Sequence, residues 1–304
     1  MIKWNKRGRI FNNPKKKFTH ASHPCVAHIK DDIFILAFSS RKNNKSHVFL
    51  CKVEIKNYSI KFLTKPKLAL SPSNPGYFDS EGLLTCCIVK NKKKYYLYYT
   101  GWQNIEIGLW HCDTGRAILD VERLTAKREF QGPIFARDKY NPIFAAATTV
   151  HVKNNKWVSW YNSGLSWKKK KGSWHPKYGI HYATSNNGID WKSHSKLIIP
   201  FKNKYEHSFG RPTVLYKKKK FHMWFACRGN KNFSTYRIGY AYSNDGIRWV
   251  RNDKLSGINI SKRSSDWDGE SICYPYVFTH KNITYMLYNG NNYGLTGFGY
   301  AVGS

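Results

Sequence analysis

Five segments of this chain repeat one pattern, and no other property of the sequence limits its fold as much. IFILAFSSR, YYLYYTGW, WVSWYNSG, FHMWFACRG and YMLYNGN each run an apolar strand into an aromatic residue and then into small or polar ones. The aromatic anchors Phe38, Tyr99, Tyr161, Phe225 and Tyr288 are separated by 61, 62, 64 and 63 residues. Self-similarity at a fixed period marks a repeat architecture, in which each unit buries its apolar surface against its neighbours. Eleven positions before each anchor, twelve in the first repeat, stands an apolar residue: Val26, Ile88, Val150, Val214 and Val277. A short polar turn lies between the two, so each repeat opens with a β-hairpin.

A third strand is clearest where YGIHYATSNNGIDW (178–191) matches YRIGYAYSNDGIRW (236–249). The Asn-Gly and Asp-Gly pairs are tight-turn signals, and the Trp after each opens a fourth strand. The last repeat stops after its third strand at TGFGYAVGS, and KWNKRGRIFNNP at the N-terminus aligns with the fourth-strand stretch DWKSHSKLIIPF. Trp4 precedes Phe38 by 34 residues, just as Trp191 precedes Phe225. The expected fold is therefore all-β: one five-bladed β-propeller domain over residues 1–304, with four antiparallel strands per blade. Residues 2–12 would be the outer strand of the last blade, closing the ring.

Composition adds limits. Aromatic residues make up 16% of the chain, which suits sheets and sugar-stacking surfaces. The start, MIKWNKRGRIF, has no apolar stretch behind its basic residues, and no run approaches a membrane span, so the reading is soluble and cytoplasmic. Seven cysteines, an odd number without CxxC spacing, argue against a disulfide framework or a zinc site. The net charge of +33 raises the question of an anionic partner, a membrane or an acidic glycan. Lys outnumbers Arg 38 to 13, which argues against nucleic acid, whose readers favour Arg. Three Lys-dense turns (Asn91 to Lys94, Lys153 to Lys156, Lys217 to Lys220) join first and second strands. In a propeller these turns lie on the face opposite the loops that enter the first strands.

Those entering loops, and the ones between second and third strands, hold the candidate site. They carry Trp102, Trp167, Arg228, Asn289 and Asn291, the aromatic faces and polar donors that a polyhydroxylated ligand needs. Asp79 and Glu81 precede Ile88 by nine and seven residues; Asp268 and Glu270 precede Val277 by the same nine and seven. His23, Arg211 and Tyr274 each stand three residues before the valine of a channel-lining strand, with His20 and Glu206 just upstream. Histidine, arginine and carboxylates converging on one axis form an active-site inventory. No acid or histidine spacing resembles HExxH, an EF-hand or a P-loop, so no cofactor or metal is expected.

With these motifs in view, the sequence resembles the five-bladed propeller superfamily of glycoside-active enzymes, which holds arabinanases, invertases, levansucrases and mannoside phosphorylases. FDSEG, the paired YxxSNxGIxW blades, FGRPTV and DGESICYPYVFTHKNITYMLYNGNNYGLTGFGYA are similar to an uncharacterised bacterial set often placed with surface-polysaccharide genes. The resemblance implies a glycan-active enzyme, a glycosidase or a glycosyl-transferring enzyme, acting on a carbohydrate or activated sugar. HASHPCV stands where the invertase and arabinanase branches carry their first-blade Asp, so the hydrolase triad does not carry over intact. GRP at 210–212 looks more like the phosphorylase branch. Glu270 is the candidate acid, Asp79 or Glu81 the base or nucleophile, with Asp268 and Glu206 behind them. Arg211 and Arg228 would orient an anionic group, while His23 and Tyr274 would donate to hydroxyls. A non-catalytic carbohydrate-binding propeller and a phosphate-dependent phosphorylase are the alternatives.

Overall fold

A computed structural model describes the chain except residues 1, 14, 107, 171, 195 and 230–233. Its regular secondary structure is nearly all strand. After β1 (Trp4–Phe11) come β2 (Thr19–Lys30), β3 (Ile33–Lys42) and β4 (Lys45–Lys56), with short β5 (Ser59–Phe62) and β6 (Lys67–Leu70) both pairing with β4. The next antiparallel group is β7 (Gly82–Asn91), β8 (Lys94–Glu106), β9 (Leu109–Asp120) and β10 (Thr125–Arg128). It is followed by β11 (Phe144–Lys153), β12 (Lys156–Lys170), β13 (Ser173–Ser185) and β14 (Lys192–His194). Then come β15 (Ser208–Lys217), β16 (Lys220–Arg228), β17 (Arg237–Ser243) and β18 (Val250–Arg251). The chain closes with β19 (Cys273–His280), β20 (Ile283–Asn289) and β21 (Phe298–Gly303).

The last group is completed from the other end of the chain, in the order β1-β21-β20-β19. Trp4 pairs with Gly303 and Phe11 with Phe298. Trp4 is buried and meets Trp224 edge to face at 5.5 Å, while Phe11 packs on Phe38, Phe62 and Phe298. The N-terminal strand is thus held by main-chain pairing and by aromatic contacts into two neighbouring groups.

Alternation explains the apolar second strands. On β3, Phe34, Leu36 and Phe38 face Tyr285, Leu287 and Phe298 of the last group, while Ile35 and Ala37 face Leu97 and Tyr99 of the next. Both faces of the strand are buried, so it reads as a continuous apolar run. The same arrangement recurs between every pair of successive groups. All five anchor aromatics are fully buried. The first strands also touch in a cycle: β2 beside β7, β7 beside β11, β11 beside β15, β15 beside β19, and β19 beside β2.

Each tyrosine anchor is tied to a polar residue 20 positions earlier. Tyr99 donates to Asp79 at 3.3 Å, Tyr161 to Asn141 at 2.9 Å and Tyr288 to Asp268 at 2.9 Å. The phenylalanine anchors Phe38 and Phe225, which have no hydroxyl, have Phe18 and Tyr205 at that offset. A buried hydroxyl needs a partner, and the repeat supplies one only where the hydroxyl exists. All seven cysteines are buried and unpaired. Among the described residues no helix is long and apolar enough to cross a membrane.

Candidate functional site

The first strands converge on a cavity of about 330 Å³, formed by their N-terminal halves, by the ends of second strands and by residues of the third strands β9 and β13. Each first strand bulges there, with register jumps at Ser22/Cys25, Thr85/Cys87, Gly210/Thr213 and Cys273/Tyr276, among others. At three of these bulges the backbone turns left-handed: φ is 55° at His23, 45° at Arg211 and 54° at Tyr274. Bulky residues adopt such angles only where their surroundings hold them, and bulges re-aim side chains. All three line the cavity, and the His23 and Tyr274 rings stack at 4.0 Å between centroids.

The clamps that hold these conformations are repeated too. The residue after an anchor reaches the neighbouring group and accepts the N–H of the bulge: Ser39 from Thr85 at 2.9 Å, Asn162 from Arg211 at 3.0 Å, Asn289 from His23 at 3.1 Å. Asn289 also donates to the Tyr293 carbonyl. Its amide is therefore occupied by backbone. Asn291 is used likewise, accepting from the N–H groups of Glu270 and Ser271 and donating to the Asp266 carbonyl.

Arg211 pins the centre. Its guanidinium donates to the carbonyls of Tyr274 (2.8 Å), His23 (3.1 Å), Pro24 (2.8 Å) and Cys86 (3.1 Å), joining β15 to β19, β2 and β7. Only Nε is left buried without a partner. Four carbonyl dipoles, rather than a carboxylate, offset the buried charge. The field remains, and it acts on His23: burial first, then the charges of Arg211 and Arg41, hold its pKa well below the usual 6.5. His23 is therefore a neutral imidazole. His20, half-buried and bonded to Thr19, lies outside the lining, with its pKa lowered to about 4 by burial and then by Arg41.

The lining also includes Trp102, Trp110, Phe144 and Tyr178. Trp110 packs on Phe144 at 5.3 Å, and Trp167 backs it edge-on at 5.2 Å without lining the cavity itself. Trp102 fits there because Gly82 has no side chain: a Cβ would stand 2.4 Å from the indole nitrogen. Arg41, Thr100, Asn162, Cys86 and Cys112 complete the wall.

No carboxylate is among these lining residues. Asp79 is fully buried between Arg128 and Tyr99, and Asp268 between Lys6 and Tyr288; both brace their loops. Glu206 is buried in a two-pronged pair with Arg251 and also accepts the Lys202 N–H. Glu81 pairs with Lys45 at 3.1 Å. Glu270 is exposed, and among the described residues its carboxylate has no partner. Arg228, outside the cavity, donates to Tyr293 and lies over the Tyr236 ring.

The structure thus brings His23, Arg211, Tyr274 and Trp102 into one lining that includes none of the five candidate carboxylates, although Glu81 donates its N–H to the Trp102 carbonyl. Arg41, Trp110, Phe144 and Tyr178 escaped the sequence reading. Arg41 was within reach of it, standing three residues after Phe38 as Trp102 does after Tyr99 and Arg228 after Phe225. The Lys-dense turns fall at the far ends of β7, β11 and β15 from the cavity.

The chain is 33% identical over 305 residues to two uncharacterised Mycobacterium tuberculosis proteins, MT1551 of strain CDC 1551 and Rv1502 of strain H37Rv. The alignment covers 98% of this chain and 98% of each of them. No protein-family model matches. Among solved structures, a glycoside hydrolase superposes with a TM-score of 0.76 at 15% identity, covering 99% of this chain and 91% of that one. A structure from the GH130 family of mannoside phosphorylases and glycoside hydrolases gives 0.71 at 12% identity, covering 99% and 93%. The Bombyx mori GH32 β-fructofuranosidase gives 0.65 at 11%, covering 99% and 61%. These likenesses identify the fold as the propeller-like one of glycoside hydrolases and phosphorylases.

Proposed function

This chain belongs to the family of Rv1502 and MT1551 of Mycobacterium tuberculosis, and from that premise we propose that it is a glycan-active protein holding a sugar in its central cavity. We read residues 1–304 as one five-bladed propeller; the cycle of first-strand contacts and the last group completed by β1 support this reading. The observation that carries the sugar assignment is the cavity itself. Trp102, Trp110, Phe144 and Tyr178 share its lining with the polar side chains of His23, Arg41 and Tyr274. Flat aromatic faces stack on the C–H surface of a sugar ring while donors and acceptors opposite take its hydroxyls.

As an enzyme, the protein would cleave or transfer a glycosyl group, with surface-polysaccharide metabolism as its setting. Cleavage needs an acid at the leaving oxygen. Asp79, Asp268, Glu206 and Glu81 are all engaged by cations, so Glu270, whose carboxylate has none among the described residues, is the acid this reading assigns. A second reading, a carbohydrate-binding propeller without catalysis, is favoured by a specific observation: no carboxylate is among the cavity-lining residues. A screen of aryl glycosides and nucleotide sugars, with and without phosphate, separates the two. Turnover abolished by Trp102→Ala supports the enzyme, binding without turnover supports the second reading, and neither binding nor turnover refutes both.

A further inference from the structure

Three arginines, two in the cavity lining and one outside it, have guanidiniums with different fates. Arg211 spends NH1 and NH2 on four carbonyls. Arg228 is bonded to Tyr293 and lies outside the lining. Arg41 lines the cavity, and among the described residues its guanidinium has no hydrogen bond, ion pair or ring contact. Glu81, whose carbonyl accepts the N–H of Arg41's strand partner Ser46, is itself paired with Lys45. Arg41 is fixed at the end of β3, where its backbone pairs with Thr19 on β2 and Ser46 on β4. The cavity therefore combines a held but uncommitted guanidinium, a second buried cation, and no carboxylate.

Resting on the assignment of the cavity to a sugar, we propose that its ligand carries an anionic substituent, a phosphate or a carboxylate, which Arg41 receives while the ring lies against Trp102 and Trp110. A guanidinium presents a planar fork that pairs with either group through two parallel N–H donors. Neutral His23 adds one donor or acceptor but no charge. Arg211 adds field without a free fork: its positive charge, held at the cavity floor, has no counter-charge in the lining. A neutral sugar would leave both cations without an anion; an anionic one supplies it. The ligand would then lie with its apolar ring face toward β8 and β9 and its charged group toward the end of β3.

The test is calorimetric and fluorimetric titration of the full chain with glucose, galactose and mannose, their 6-phosphates and 1-phosphates, their uronates, and inorganic phosphate alone. The expected result is at least tenfold tighter binding of one anionic class than of its neutral parent, a preference lost in Arg41→Gln, partly kept in Arg41→Lys, and weakened by salt. The phosphate and uronate arms tell which anion it is. Neutral sugars binding as well as every anionic partner would overturn the proposal and leave the cavity assignment standing. Inorganic phosphate binding as tightly as the sugar phosphates would also overturn it, since the ring would then contribute nothing. Binding of anionic sugars that survives Trp102→Ala and Arg41→Gln unchanged would place the ligand elsewhere and end both readings.

Discussion

Asn289 accepts the N–H of His23 at 3.1 Å across 266 residues of sequence, joining the last strand group to the first. The bond holds His23 in a left-handed conformation that aims its ring at the cavity. Asn289 is fully buried, so Asn289→Ala leaves one N–H and one carbonyl unpaired. We expect a loss of roughly 1–3 kcal/mol in chemical denaturation and weaker ligand binding, since the bulge then keeps only the bonds that Arg211 and Thr85 make to its carbonyls. An unchanged denaturation midpoint would show that the clamp is incidental.

Removing residues 2–12 takes away β1, and with it the outer strand of the β1-β21-β20-β19 sheet. The truncated chain should melt far below the parent or fail to fold. Trp4→Ala isolates one contact: burial against Trp224 predicts a cost of about 3–5 kcal/mol. A truncated chain with the parent's melting temperature would contradict closure by this strand.

Asp268 and Glu270 sit two residues apart and should behave oppositely. Asp268 is buried against Lys6 and Tyr288, so Asp268→Ala should cost roughly 2–4 kcal/mol in stability. Glu270 is exposed and its carboxylate has no partner among the described residues, so Glu270→Gln should melt like the parent. If it is the acid, turnover falls by about 10²- to 10⁴-fold, least for good leaving groups. Parent-like turnover in that variant, on a substrate the parent cleaves, removes it from the role.

Two histidines with lowered pKa values, His23 and His151, give a pH dependence with a definite sign. Burial, reinforced at His23 by Arg211 and Arg41, holds the pKa of His23 well below 6.5, and burial lowers that of His151 to about 4. The unfolded chain takes up these protons near pH 6.5 and the folded one does not. Stability is therefore full above about pH 6.5 and falls as the pH drops toward 4, by up to about 1.4 kcal/mol per pH unit for each excluded proton. Urea denaturation at pH 7, 6 and 5 should show this slope, and His23→Asn should reduce it by close to one proton. A flat profile between pH 7 and 5 would mean that these rings are protonated in the folded state.

The repeat, the strand order within it and the split last group were legible in the sequence because they are periodic. Anchors every sixty-odd residues and the continuous apolar runs before them mark second strands buried on both faces. His23, Arg211, Tyr274 and Trp102 were found for the same reason: their repeat positions place them at the entry of the inner strands or just after an anchor. The fate of the charges was not legible. Asp79 and Asp268 share one repeat position, yet their cations are Arg128, 49 residues away, and Lys6, 262 residues away. Arg211 and Arg41 both point at the cavity, but only the left-handed bulge at Arg211 lets its guanidinium reach the carbonyls of three neighbouring strands. Periodic burial is written locally in the order of residue types, whereas ion pairs and carbonyl contacts depend on which distant side chains meet. That is decided only when the strand groups pack.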